Sequence, residues 1–104
     1  MFKSIKQSQM EERILKKLEG KPREAIELLF ADEALQTLQE YANIVSIKRL
    51  GYNDHGPVHM RKATYNTIKM FHLLREAEVQ MNLEKEGLGT SEDALVAVIF
   101  ASLL

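Results

Sequence analysis

The chain has 104 residues, enough for one domain with a modest core. Lys plus Arg number 14 against 15 for Asp plus Glu, so no global field favours nucleic acid or an anionic membrane, and neither is an expected partner. The absence of cysteine excludes a disulfide scaffold and thiolate chemistry; with no signal-like N-terminal run and no apolar stretch near the ~20 residues of a membrane span, the expected location is the cytoplasm.

Helical periodicity dominates from the first residues, and nothing reads as a strand. Ser4 to Leu18 carries Ile5, Met10, Ile14 and Leu18 among charges, a loosely amphipathic helix stopped by Gly20. Pro22 stands where the next helix should begin, and Ala25, Ile26, Leu28, Leu29 and Phe30 make that helix too apolar for a surface position. Ala31 to Leu50 follows, with Leu35, Leu38, Tyr41, Ala42, Ile44, Val45 and Ile47 as the expected buried stripe. The pattern leaves open whether residues 22–50 form one bent helix or two, with the break near Ala31-Asp32.

Gly51-Tyr52-Asn53-Asp54-His55-Gly56-Pro57 is the clearest break, a structured turn feeding a helix with proline in its first turn. That helix is expected to run from Pro57 to near Met81. At 100° per residue, Met60, Ala63, Thr64, Thr67, Met70, Phe71, Leu74, Ala77 and Met81 share one broad face. His59 falls at the edge of the face, His72 on roughly the opposite side as a surface residue, and Arg61-Lys62 on a solvated face. Asn82 to Gly89 reads as a polar loop.

The last helix opens with Thr90-Ser91-Glu92-Asp93, a hydroxyl followed three residues later by a carboxylate, the pattern of a capping box. From Ala94 onward every residue except Ser102 is apolar, and no Gly, Asn, Pro or basic residue closes the helix before Leu104. Its final carbonyls have no evident partner in the sequence. These features predict a central helix, and a chain that is the front part of a longer protein, cut inside that helix.

Two of the three histidines, His55 and His59, stand four residues apart at the mouth of the long helix, beside Asp54. Neutral imidazole is the commonest metal ligand, and an adjacent carboxylate can ligate or orient a ring. The spacing alone also suits a hydrogen-bonded histidine at His59, a turn-stabilising one at His55 and a cap at Asp54.

Asn53-Asp54-His55-Gly56-Pro57-Val58-His59 opening a helix, followed by an acid-capped apolar helix ending Ala101-Ser102-Leu103-Leu104, resembles the HD-domain metal-dependent phosphohydrolase superfamily. The resemblance covers Tyr52 to Leu104; the preceding segment matches only as generic helix. It implies an all-α, HD-domain-like helical bundle: one incomplete domain over 1–104, with N-terminal helices in 1–50 and the histidine-bearing helix and the start of the central helix in 51–104. His59 takes the place of the family's first metal ligand, and His55 matches an additional histidine found in some members. A divalent ion (Mn, Mg, Ni, Zn or Fe) would acidify a bound water and polarise a phosphoryl oxygen of a phosphate ester or nucleotide. Two departures stand out. Ala63 and Thr64 occupy positions where the family has a branched residue and then Ala, and the His-Asp pair and later aspartate are missing. The expectation is therefore a hydrolase whose 104-residue segment is inactive by itself. The competing expectation is a non-catalytic helical interaction module with structural histidines, self-associating through the apolar C-terminal helix.

Overall fold

The computed structural model describes residues 1–49, 51 and 56–103, and every regular element among them is helical. Six α-helices follow in order: α1 (Ile5–Lys16), α2 (Gly20–Phe30), α3 (Glu33–Ile44), α4 (Pro57–Glu76), α5 (Asn82–Lys85) and α6 (Ser91–Leu103). A π-helical segment, Val45–Arg49, extends α3. Among these residues no helix is long and apolar enough to cross a membrane.

Local chemistry sets the boundaries. Ser4 caps α1, its hydroxyl accepting from Gln7 N at 3.1 Å. Asp32 caps α3 by accepting from Ala34 N and Leu35 N, so α2 and α3 are two helices with the break at Ala31-Asp32. Gly20 does not merely stop α1. It begins α2 at φ +64°, where a Cβ would also meet the Glu92 carboxylate at 3.0 Å. Asn82–Lys85, expected as loop, forms one helical turn.

Four helices supply one fully buried isoleucine each: Ile14 of α1, Ile26 of α2, Ile68 of α4 and Ile99 of α6. Leu18, Phe30, Phe71, Leu95 and Leu103 complete the core around them. The capping box forms as the sequence predicts: Thr90 N donates to Asp93 Oδ2 at 3.0 Å and Asp93 N donates to Thr90 Oγ1 at 3.2 Å.

Several expected faces are corrected. Helix α3 turns Leu35, Gln36 and Gln39 inward and leaves Leu38, Tyr41 and Ile44 exposed, as the π-helical segment leaves Ile47. The two glutamines are buried because their partners are polar groups of α1, α4 and α6, and a hydrophobic period cannot register such pairings. Arg61, expected in solvent, is the largest fully buried side chain, at 1% exposure. Helix α6 is not covered on all sides: Ala94, Leu95, Ile99 and Leu103 are buried, whereas Ala97, Phe100 and Ala101 are exposed. One of its last carbonyls also has a partner, for Gln39 Nε2 donates to Leu103 O at 2.9 Å.

Candidate functional site

The opening of α4 is held by a buried polar network. Gly56 packs against Asn43, so tightly that a Cβ at Gly56 would lie 2.9 Å from Asn43 Nδ2. One turn on, Arg61 Nη1 donates to Pro57 O at 3.1 Å and to Gln39 Oε1 at 2.7 Å, while Nε reaches Glu11 Oε2 at 2.8 Å. Glu11 also accepts from Lys3 Nζ at 2.7 Å, and the side chains of Gln7 and Gln36 bond each other reciprocally. No buried side-chain donor or acceptor among the described residues lacks a partner, which is what makes such a network tolerable in a core.

Through Gln39 the network ties the start of α4 to the end of α6, and Thr64 Oγ1 lies 2.9 Å from Ser102 Oγ between the same two helices. The C-terminal end of α6 therefore arrives beside the first turns of α4.

His59 sits in the first turn of α4 and is exposed. Its flank of the helix also carries Met70, 64% exposed, and Leu74, 41% exposed. The broad face expected from the sequence is thus divided. Thr64 and Phe71 pack against the bundle, and the strip with Met70 and Leu74, on the flank of His59 but about three to four turns further along, does not. His55 and Asp54 lie outside the described residues. Among the described residues no group of three His, Asp or Glu side chains converges to hold a metal, so these residues do not by themselves fit a divalent ion.

His72 is half-buried rather than a surface residue, with Nε2 3.1 Å from Lys17 O. It lines a cleft of about 620 Å³ with Lys16, Lys17, Arg75, Glu19 and Glu92. Of the cleft's two acids Glu92 caps α2, its Oε2 accepting from Lys21 N at 3.2 Å, and nearby Lys21 Nζ pairs with Asp93 at 2.8 Å. The Lys21 ammonium and the Thr90 backbone and hydroxyl hold the Asp93 carboxyl at about 2, well below its usual range. The same pairing raises Lys21.

A third feature lies between α1 and α4. Arg13, Lys69 and Lys17 stand 4.7, 5.0 and 5.7 Å from the centre of the Tyr65 ring. Arg13 by hydrogen bonding, and Lys17, Arg13 and Lys69 by charge, lower the phenol's pKa against the opposing effect of burial. The sequence did signal this cluster: Pro57 to Arg75 contains no acidic residue, a local bias that a whole-chain charge balance conceals.

No family model matches the chain, and no solved structure matches it. Over 90 residues it is 32% identical to a protein of Methanocaldococcus jannaschii described only as uncharacterized, an alignment covering 86% of this chain and 35% of that protein. The chain thus spans about a third of the length of the relative it matches.

Proposed function

We propose that this helical bundle is the histidine-bearing part of a metal-dependent phosphohydrolase, with His59 supplying one ligand and His55 and Asp54 as further ligands or orienting groups. The observation that carries the reading is the bond chain Pro57–Arg61–Gln39–Leu103, which fixes the end of α6 beside the opening of α4. Ligands from any helix packed beyond the end of α6 would enter next to the first turns of α4, where His59 stands. The exposed Met70 and Leu74, on the flank that bears His59, give further helices an apolar surface to cover. The alignment with a relative about three times as long is compatible with such an addition. The substrate would be a phosphate ester, with nucleotides included in that class.

This reading expects the 104-residue chain to be inactive alone: with His55 and Asp54 as orienting groups His59 is a single ligand, and an ion needs about three to remain bound with an open position for water. The test is hydrolysis of a generic phosphomonoester with added manganese, magnesium, nickel or zinc. No turnover is expected from the chain. Turnover that disappears in His59→Ala would contradict the requirement for further ligands.

A second reading, a non-catalytic interaction module, is favoured by a different observation. Leu38, Tyr41, Ile44 and Ile47 expose between 46% and 66% of their surface along α3 and its π-helical extension. Light scattering across a concentration series tests it: reversible dimerisation lost in Leu38→Lys supports self-association, and a monomer at all concentrations opposes it.

A further inference from the structure

The chain's near-neutral total charge hides an uneven distribution. The groove between α1 and α4 has a volume of about 390 Å³ at its head, where Lys6, Arg13 and Lys62 line it with Gln9 and Val58. Glu12 is the one carboxylate among its lining residues. Beyond this cleft Arg13, Lys17 and Lys69 gather around the Tyr65 ring, and the Lys17 carbonyl meets His72. Lys6, Arg13, Lys17, Lys62 and Lys69 are all exposed. The other acid of α1, Glu11, is turned inward and consumed by Arg61 and Lys3.

Five cations along one groove repel one another, and a helix pair does not need them there for packing. Tyr65 offsets part of the repulsion by offering its ring to three of them. Their side chains are thereby gathered into a lane with N–H donors still available. From Lys6 to Lys17 the lane is about 16 Å long at 1.5 Å per residue.

We propose that this groove binds the sugar–phosphate backbone of single-stranded nucleic acid. The proposal stands apart from the phosphohydrolase reading and does not depend on it. Shape selects the partner. The recess has about 390 Å³ at its head, a volume on the scale of one strand's sugar–phosphate units rather than the body of a duplex. A bilayer is flat and meets ridges better than a recessed lane whose floor is a half-buried tyrosine. A linear array of cations at an aromatic residue is the arrangement that tracks a single-stranded backbone without reading its sequence.

The test is fluorescence anisotropy with a labelled, mixed-sequence single-stranded RNA, titrated with the chain. Affinity is expected to fall about fifty-fold between about 50 and 200 mM salt, the dependence for roughly four phosphates neutralised on a single strand. The exposed pair Lys62→Glu/Lys69→Glu should weaken binding by at least about tenfold, while the charge-matched control Lys48→Glu/Lys85→Glu should not. The milder Lys62→Gln/Lys69→Gln pair, with its helical circular dichroism checked against the unsubstituted chain, should lower the salt slope by about 0.7 for each cation removed. Equal losses in the two glutamate pairs, no binding at low salt, or tighter binding to phosphatidylserine vesicles than to RNA would each overturn the proposal.

Discussion

Arg61 of α4 and Glu11 of α1 form an ion pair of 2.8 Å in which 1% of the arginine side chain and 11% of the glutamate side chain are exposed. The arginine is further stacked over Phe30, with its guanidinium carbon 5.1 Å from the ring centre. A buried pair of this kind is a weak source of net stability, but removal of one partner leaves an uncompensated charge. Arg61→Met should therefore destabilise the chain by about 3 kcal/mol, the low end for such a break, because Lys3 and Gln7 still serve Glu11. Adding Glu11→Gln should not restore the loss, because Glu11 remains paired with Lys3 Nζ at 2.7 Å once Arg61 is gone and its charge is not stranded. Urea denaturation of the single and double variants checks this, and a loss below about 1 kcal/mol for Arg61→Met would contradict it.

The α6 cap gives a pH dependence with a defined sign. The Asp93 carboxyl is held at about 2 in the folded chain against an ordinary 3.8. Its contribution is present above pH 3.8 and is lost as pH falls through about 2, because the unfolded chain takes up the proton first. In Asp93→Asn this component of the acid transition should vanish. Thermal midpoints of the two proteins across that interval measure it, and parallel acid profiles would contradict it.

Removing the cap's other half is a separate experiment. Thr90→Ala should cost about 1 kcal/mol, the usual value for a hydroxyl N-cap, since Thr90 Oγ1 accepts the Asp93 amide. Hydrogen exchange at the start of α6 should quicken more than exchange in α1.

The α3 surface separates packing from hydrophobicity. Leu38 is 66% exposed and Leu35 7% exposed, though they stand three residues apart on one helix. Leu38→Lys should change stability by no more than about 0.5 kcal/mol, whereas Leu35→Ala should cost about 2 kcal/mol or more. Thermal denaturation of the two variants decides it; a Leu38→Lys chain that fails to fold would show that this strip is covered.

Much of the helical order was legible because it is written locally. Ser4 and Asp32 are caps, Pro57 begins a helix, and Thr90 with Asp93 spells a capping box. Ile14 and Ile26 stand among the apolar positions read for their helices, whereas the fully buried Ile68 lies outside the face that the sequence assigns to the long helix. Illegible was any burial that depends on a partner distant in sequence. Arg61 reads as a surface residue until Glu11 and Gln39 are placed beside it, and Gln36 and Gln39 read as solvated until Gln7 and the Leu103 carbonyl are found. His72 is another case, since its carbonyl partner at Lys17 lies on another helix. Of the candidate metal residues, the local pattern places His59 in the first turn of α4, and its exposed flank is a consequence of which helices lie against it.

The most direct test of the metal-site reading is the affinity for Mn²⁺, measured by isothermal titration calorimetry on the longer protein that the reading requires, with and without His59→Ala. One site that binds Mn²⁺ in the parent protein and weakens by at least about tenfold in the variant is the predicted result, given the cost of disturbing even an outer-sphere partner. Mn²⁺ binding of equal strength in the two proteins, or none in either, would contradict it.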